Sequence, residues 1–294
     1  MVKKILNKKE AQARIKILRQ TINHHRELYH VFDRQEISDA ALDSLKKELV
    51  DWETLYPDLI TLDSPTQRVA GQALSKFKKV KHQIPQWSFN DAFMSEEIYD
   101  FAKRCQKFLS GQKPTYTCEL KIDGFKIVLT YKKGILVTAA TRGDGKIGED
   151  VTTNVRTIES IPLRLKQDID LVVEGEIWLS KKDFVALNKK RQKQGETLFA
   201  NPRNVAAGTI RQLDSKLVAE RHLDSFIYDI VWSENDLPTT QYEELKLLQT
   251  LGFKVQSDFS LCSSVESVVD FWRHWQKQSI KLPFGVDGVV VKVN

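Results

Sequence analysis

The hydrophobic spacing of the chain changes once, from a helical to a strand period, and this change constrains the fold more than any other feature. Near the N-terminus, Ile15, Leu18, Ile22 and Tyr29 recur three, four and seven residues apart, which is the spacing of one helical face. From Thr115 onward the apolar residues fall in short β-rich runs that glycines interrupt. The pattern predicts a helical unit followed by a unit built on strands.

The helical unit is predicted to be a hairpin. Its first helix covers about residues 8–32, and its second begins at Ser38, whose hydroxyl can cap a helix N-terminus. The second helix ends at Tyr56-Pro57, because proline disfavours a helical conformation in the residue before it. The apolar positions that keep the helical spacing in this second helix are Leu42, Leu45, Leu49 and Trp52.

The remainder of the chain is predicted to be an α+β domain of largely antiparallel strands that carry helices. Residues 57–93 contain prolines and little periodicity, so they predict an irregular connection, with a domain boundary near Ala70-Gly71. A helix is predicted after Ser95. Strands are predicted at 115–121, 124–131, 135–142, 171–178, 225–232 and 286–293, and helices at 181–193, 240–251 and 264–279.

Composition restricts the classes of function. The chain has 294 residues and a formal charge of +6, a mild basic excess that fits a polyphosphate or nucleic-acid partner. Its three cysteines are far apart and lack any Cys-x-x-Cys pair, which argues against a disulfide framework and a cysteine-based zinc site. The N-terminus is too charged for a secretory signal, and no run approaches the roughly 20 apolar residues that cross a bilayer. We therefore expect a soluble, cytoplasmic protein without a membrane partner.

The run CELKIDG (118–124) carries the candidate nucleophile. Alternate side chains of a strand share a face, so Glu119 and Lys121 are expected to point the same way. Asp123-Gly124 predicts a tight turn that leaves Lys121 at a strand end, where a ligand can approach the backbone closely. On its own, such a lysine is more often a solvated surface group.

Two further motifs supply glycines and carboxylates. The run TRGDGKIGED (141–150) has three glycines that would let backbone amides approach an oxyanion, although a flexible hairpin loop has the same composition. The run VEGEIW (173–178) places Glu174 and Glu176 on one strand face. Acidic residues in an apolar strand suggest a polar site, but an edge strand facing water would show the same pattern.

Two more motifs supply cations. The run FANPRNVAAGTIR (199–211) places Arg203 and Arg211 beside a short helix that begins with proline, and the planar guanidinium suits phosphate, although a plain surface helix could also carry them. The run VDGVVVKVN (286–294) holds Lys292 in a strand that an apolar core would fill. A phosphate partner would explain that lysine.

Together the motifs suit nucleotidyl transfer. In that reaction an unprotonated amine attacks phosphorus while cations neutralise the phosphate oxygens. A magnesium ion usually assists and is held mostly by water and phosphate. We assign no direct protein ligand to such an ion and expect it near Glu176.

The motifs resemble, in the same order, those of the NAD-dependent DNA ligases of bacteria. The runs CELKIDG, ATRGDGKIGEDVTTNVRTIESIPL, VEGEIW, FANPRNVAAGTIRQLD and VDGVVVKVN carry the resemblance, and LYHVFDRQEISDAALDSL extends it into the hairpin. The resemblance implies that residues 1–70 recognise the nicotinamide mononucleotide half of NAD. It implies that residues 71–294 form a nucleotidyltransferase, ATP-grasp-like adenylation domain.

The resemblance also implies an activity and residue roles. Lys121 would attack the adenylyl phosphorus of NAD and release nicotinamide mononucleotide; AMP would then pass to the 5′-phosphate of a nick, and the 3′-hydroxyl would displace it, as in DNA replication and repair. The implied contacts to the adenylate are Glu119 to adenine, Arg142 and Glu176 to ribose, Lys292 to phosphate, Arg203 and Arg211 to phosphates of NAD or DNA, and Tyr228 near the base. The pair Ser88-Phe89 would contact NAD. The implied contacts to nicotinamide mononucleotide are Tyr29, His30, Asp39 and Asp43.

The sequence departs from the family pattern in places. Leu42 stands where tyrosine is usual, and residues 86–91 replace the usual Met-Leu-Ser-Leu-Asp-Asn, which bears on cofactor affinity more than on the reaction. The family continues into further DNA-binding domains that do not fit after Asn294. We therefore expect a monomeric fragment that adenylates itself but binds nicked DNA weakly and seals it poorly.

Two other functions are consistent with part of this pattern. The Lys-x-Asp-Gly core is shared with nucleotidyltransferases that use ATP or GTP, and only the hairpin residues Tyr29, His30 and Asp39 argue for NAD. A module that binds NAD or DNA without reacting would also fit the basic charge. Whether NAD or ATP donates the AMP tests the first alternative, and covalent AMP on Lys121 tests the second.

Overall fold

The structure is a computed structural model that describes residues 7–69 and 76–294. The predicted domain boundary at Ala70-Gly71 lies outside these residues, so its position stays a prediction. The helices are α1 (Lys8–His30), α2 (Asp39–Leu55), α3 (Ser95–Phe108), α4 (Thr152–Val155), α5 (Lys181–Lys193), α6 (Pro202–Ile210), α7 (Ser215–Ala219), α8 (Gln241–Thr250) and α9 (Val265–Gln278). The strands are β1 (Lys79–Lys81), β2 (Tyr116–Ile122), β3 (Phe125–Lys132), β4 (Ile135–Thr141), β5 (Ile147–Glu149), β6 (Leu171–Trp178), β7 (Asp224–Ser233), β8 (Ser260–Cys262) and β9 (Val286–Val293).

The helices α1 and α2 form the predicted hairpin, and each begins at a capping side chain. Asn7 accepts from the amide of Glu10 while Glu10 accepts from the amide of Asn7, so two otherwise orphaned donors are satisfied. Ser38 accepts from the amide of Ala41, as predicted. The buried core of the hairpin consists of Ala11, Ile15, Leu18 and Ile22 from α1 and Leu49 and Trp52 from α2.

The connection after the hairpin is largely irregular, as predicted. Two single 3-10 turns begin at Pro57 and Pro65, where proline supplies the fixed φ of a first helical position. The three-residue strand β1 then pairs with β5. The sequence did not predict β1, β5 or β8, because three residues are too few to show a period.

Two antiparallel sheets form the body of the second domain. One has the order β8-β2-β9 and the other has the order β4-β3-β6-β7. The six predicted strands are present within one residue of their predicted ends, and β6 lies between β3 and β7 rather than at an edge. The acidic residues of β6 are therefore not explained by an edge strand that faces water.

Buried apolar clusters hold the two sheets in place. The largest packs α6, α7 and α8 against the four-stranded sheet, and a second packs α3 and α9 against β2. A third cluster joins the sheets at one end through the rings of Trp178, Phe226 and Phe284, whose centroids are 5.1 to 5.3 Å apart. A cavity lies between the two sheets, lined by residues of both.

The hairpin and the connection that follows it contact the second domain through buried charges. The buried guanidinium of Arg26 bonds to Glu159, and that of Arg68 donates to the carbonyl oxygens of Arg156, Ile158 and Ile161 at 2.8 to 3.0 Å. Burial lowers the pKa of Arg68 to about 9, and the charge of Arg26 acts in the same direction. Burial alone would raise the pKa of Glu159, but the two arginines outweigh it and lower that pKa to about 2.

Replacing Arg68 tests this contact. Arg68→Met keeps the length of the side chain but leaves three carbonyl oxygens without their donor, so we expect a loss of roughly 3 kcal/mol in the free energy of unfolding. Urea denaturation measures it. The matched control is Arg164→Met, because Arg164 pairs with Asp63 and Asp168 near solvent; this variant should lose less than about 1 kcal/mol. Equal losses in the two variants would contradict the importance of buried Arg68.

Candidate active site

The space between the two sheets is a cavity of about 440 Å³. All ten residues predicted to act on the adenylate half or to carry the chemistry line it. They are Ser88, Phe89, Glu119, Lys121, Arg142, Glu176, Arg203, Arg211, Tyr228 and Lys292. These positions are spread over more than 200 residues of sequence, and the two sheets bring them to one place.

Lys121 reaches the cavity from the end of β2. Its Nζ lies 2.9 Å from Asp287 Oδ2, and its side chain is 44% exposed. The register places Lys121 opposite Gly288 of β9, so the Asp287-Gly288 pair lies beside the lysine. Asp287 is therefore positioned to hold the proton of the amine.

Close packing requires a glycine at position 124, three residues after Lys121. A Cβ on Gly124 would lie 2.4 Å from the carbonyl oxygen of Ile177, which is closer than atoms can approach. The chain therefore turns from β2 into β3 directly against β6. Lys121 and Glu176 both line the cavity, and the charge of Lys121 acts to lower the pKa of Glu176.

Glu119, Lys292 and Asp229 form a partly buried ionic network across the two sheets. Lys292 Nζ lies 3.4 Å from Glu119 Oε1 and 3.0 Å from Asp229 Oδ1. Burial raises the pKa of Glu119 although the charge of Lys292 opposes it. Burial alone would lower the pKa of Lys292, but the two carboxylates outweigh it and raise that pKa. A phosphate partner was predicted to explain this lysine, but two carboxylates already account for its burial.

A group of carboxylates surrounds Lys121. Burial raises the pKa of the half-buried Glu176 to about 7, against the charges of Arg203 and Lys121. Burial also raises the pKa of Asp123, and the nearby charge of Asp287 acts in the same direction. Carboxylate oxygens are the donors that Mg²⁺ prefers. Among the described residues, however, those around Lys121 form no group of three converging ligand atoms, so these side chains fit an ion held largely through water.

Arg142 enters the cavity from the glycine-rich turn. Its Nη2 donates to Ser88 Oγ at 2.6 Å, while its buried Nε has no hydrogen-bond partner among the described residues. An unpaired buried donor costs free energy, so a ligand that accepts from Nε would relieve that cost.

The glycine-rich turn itself is folded around its own backbone. The amides of Lys146 and Ile147 donate to Asp144 Oδ1, and the amide of Gly145 donates to the carbonyl of Arg142. A Cβ on Gly143 would lie 1.8 Å from the carbonyl oxygen of Ile147. The glycines therefore permit a tight turn. The amides at 145–147 already donate within that turn, so they are not free to bind an oxyanion, contrary to the prediction.

Arg203 and Arg211, from the run at 199–211, have carboxylate partners near solvent. Arg211 Nε lies 2.7 Å from Glu149 Oε2, and Arg203 Nη1 lies 3.7 Å from Asp123 Oδ1. Both side chains are about half exposed. Each arginine can therefore leave its carboxylate and turn toward an incoming phosphate at little cost in free energy.

The residues predicted from sequence did not include Asp287, which contacts Lys121, or several lining residues such as Trp87. Asp287 lies in the quoted run at 286–294, and its position as the only carboxylate at a strand end there could have singled it out. Trp87 is 77% exposed at the rim of the cavity. Its neighbours in the irregular segment carry no period that could have indicated where it points.

The four hairpin residues do not line the cavity. Tyr29 is exposed and its ring lies edge-on to that of His30, with centroids 4.8 Å apart. Burial lowers the pKa of His30 to about 4. Asp39 accepts from Gln35, and Asp43 lies 3.6 Å from Lys46. The structure therefore brings together the predicted adenylate contacts and leaves the predicted nicotinamide contacts apart from them.

Comparison with known proteins identifies the family. Residues 74–294 match the model of the NAD-dependent DNA ligase adenylation domain, and residues 8–70 match that of the DNA ligase-like, N-terminal NAD+-binding domain. This chain belongs to the NAD-dependent DNA ligases. The predicted membership of this family and the predicted α+β class are thus confirmed.

Curated relatives agree with this assignment. The chain is 46% identical to a DNA ligase of Desulforamulus reducens and 47% identical to one of Thermotoga petrophila, over 97% of this chain in both cases. It spans 43% and 42% of the length of these two relatives. A solved mycobacterial DNA ligase D complexed with ATP and MES matches 61% of this chain and 48% of its own, at 15% identity and a TM-score of 0.35. Among the described residues, no helix is long and apolar enough to cross a membrane.

The raised pKa of Glu176 predicts that the stability difference between the original chain and a Glu176→Gln variant depends on pH. The folded protein binds the Glu176 proton more tightly than the unfolded chain does, so stability falls as pH rises from about 4.5 to about 7. Glu176→Gln removes this dependence, and we expect it to be more stable than the original chain at pH 8 but not at pH 4.5. Urea denaturation at the two pH values measures the difference. The exposed Glu96→Gln is the control and should show no such gain; a gain in Glu176→Gln that is the same at both pH values would contradict the assignment.

Proposed function

We propose that this chain catalyses the first step of DNA ligation, the transfer of AMP from NAD to Lys121. The observation that carries the proposal is the position of Lys121 Nζ, in an open cavity and 2.9 Å from the carboxylate of Asp287. The match of residues 8–70 to an NAD+-binding domain supports NAD as the AMP donor. AMP on the enzyme would later pass to nicked double-stranded DNA.

The step requires a free amine and a good leaving group. The Lys121 nitrogen attacks the adenylyl phosphorus, a P–N bond forms, and the phosphoanhydride bond to nicotinamide mononucleotide breaks. The proton that Lys121 loses can pass to Asp287, which already contacts Nζ. The product is a phosphoramidate, and nicotinamide mononucleotide leaves with its own phosphate.

The cavity supports specific roles in binding the adenylate. We propose that Glu119 accepts from the adenine and that Arg142, with its unpaired buried Nε, bonds with Glu176 to the ribose. The ring of Tyr228, 5.8 Å from Lys292 Nζ, would pack near the base. Lys292 is held charged by its carboxylate neighbours and would contact the phosphate.

The rim would supply the remaining contacts. Arg203 and Arg211 would meet phosphates of NAD or DNA, because both are half exposed and can leave their carboxylate partners. Ser88 and Phe89 would contact NAD from the segment before α3. Magnesium, when bound near Glu176, would neutralise charge on the phosphate oxygens.

The hairpin would have to move to complete the site. Tyr29, His30, Asp39 and Asp43 are proposed to hold the nicotinamide mononucleotide half, yet they do not line the cavity. A movement that brings them there would separate Arg26 from Glu159. Because this contact is polar, the hairpin can leave it and solvate the charges, whereas an apolar contact of the same size would resist separation.

Replacing Lys121 tests the nucleophile. Lys121→Ala should acquire no covalent AMP on incubation with NAD, because the substitution removes the proposed nucleophile. Intact-mass measurement before and after NAD reports the adduct. The matched control is Lys132→Ala, an exposed lysine at the far end of β3, which should be adenylated normally. An AMP adduct on Lys121→Ala would show that the nucleophile is elsewhere. Adduct formation from ATP but not from NAD would instead refute the proposed cofactor.

Replacing His30 tests the hairpin. His30→Ala should raise the KM for NAD at least about tenfold, a change of about 1.4 kcal/mol. It should also raise the KM for nicotinamide mononucleotide in the reverse reaction of the adenylated protein, because both involve the same half of the cofactor. The control is His274→Ala on α9. An unchanged KM in both directions would remove His30 from the nicotinamide site without affecting the role of Lys121.

A further inference from the structure

Two imidazoles and a carboxylate converge on the hairpin, apart from the cavity around Lys121. His24 and His25 lie in the last turns of α1, and Glu36 lies in the loop of residues 31–38 that leads to α2. One ligand atom from each residue can be chosen so that all three atoms lie within 4.8 Å of one another. No other such group occurs in the part of the chain that the structure describes.

We propose that His24, His25 and Glu36 bind a divalent transition-metal ion, with Zn²⁺ as the best match. Zinc bonds of about 2.0–2.1 Å in a tetrahedron place ligand atoms about 3.4 Å apart. The distance between His24 Nε2 and Glu36 Oε2 is 3.7 Å, so this pair is nearly at the required separation. Small rotations of the side chains would bring in the ring of His25, which lies edge-on to His24 with centroids 5.2 Å apart.

The nitrogen Nδ1 of His25 is an independent sign of an absent ligand. This atom is buried and has no hydrogen-bond partner among the described residues. A buried ring nitrogen without a partner costs free energy. Its pairing with a metal ion, directly or through a rotation of the ring, would remove that cost.

The carboxylate of Glu36 is already oriented by a neighbour. Arg34 Nη2 lies 2.9 Å from Glu36 Oε1, which leaves Oε2 directed toward His24. Ligating carboxylates in metal sites are typically held in this way by hydrogen bonds from outside the site. The same geometry without a metal would be a plain ion pair between His24 and Glu36, and the experiment below distinguishes the two.

The donor set selects the ion. Two imidazole nitrogens and one carboxylate oxygen suit Zn²⁺, Co²⁺ and Ni²⁺, whereas Mg²⁺ prefers oxygen ligands alone. His24 and Glu36 are exposed, so water can occupy the fourth position. The spacing of the three cysteines argues against a cysteine-based zinc site, and the proposed site uses no cysteine.

Metal binding would fasten the loop of residues 31–38 to α1. The residues at the two ends of that loop, His30 and Asp39, are proposed nicotinamide contacts, so a bound ion would also limit their movement. This consequence rests on the proposed function. The binding of the ion does not.

The test is metal binding by the metal-stripped chain. Titration calorimetry with Zn²⁺ should show one site per chain, and Co²⁺ should give the visible absorption of a tetrahedral or five-coordinate site with nitrogen and oxygen ligands. His24→Gln, His25→Gln and Glu36→Gln should each raise the Kd at least about tenfold, since the loss even of outer partners of a metal site costs about 10- to 100-fold. Mg²⁺ at the same concentration should not compete.

Two control variants address binding elsewhere. His274→Gln removes an exposed imidazole on α9, and Cys105→Ser removes a partly exposed thiol, and neither should change the Kd. Circular dichroism checks that every variant is folded. Absence of Zn²⁺ binding, binding that survives all three ligand substitutions, or a thiolate band with Co²⁺ that disappears in Cys105→Ser would each overturn the proposal. None of these results would bear on AMP transfer to Lys121.

Discussion

The ionic network of Glu119, Lys292 and Asp229 is the interaction on which the cavity depends. It joins β2 and β9 of one sheet to β7 of the other. Buried charges are tolerated only when paired, so a shift of either sheet would leave a charge without its partner. Gln241 from α8 adds a hydrogen bond to Glu119 and another to the carbonyl of Tyr228. The network thus fixes the separation of the two sheets at the point where a base and a phosphate are proposed to bind.

The two domains are held together in a different way from the two sheets. Within the second domain the sheets meet through aromatic rings and the buried network, which cannot separate without exposing apolar surface. The hairpin instead meets that domain through arginines, carboxylates and carbonyl oxygens. Water can replace such partners, so this contact can open more easily than the contact between the sheets, as the proposed movement of the hairpin requires.

Prediction from sequence succeeded where the period was long or a residue had one clear structural role. The strands with seven or more residues were found because alternation is visible over that length, and Ser38 and Tyr56-Pro57 marked the ends of α2 through capping and proline geometry. Prediction failed where the reason lay in a partner distant in sequence. The carboxylate partners of Lys292 were not predicted because Glu119 and Asp229 are 173 and 63 residues away, and Asp287 was missed because only the pairing of β2 with β9 brings it to Lys121.

The sequence by itself determined the family, the α+β class, the order of most elements and ten of the side chains that line the cavity, because these depend on local spacing and on residue type. The tertiary structure decided how those side chains are arranged. It showed that the amides at 145–147 bond within their own turn, that burial raises the pKa of Glu176 to about 7, and that the hairpin residues lie apart from the cavity. Each of these properties is set by desolvation and by contacts between distant segments, which a sequence does not display until the chain is folded.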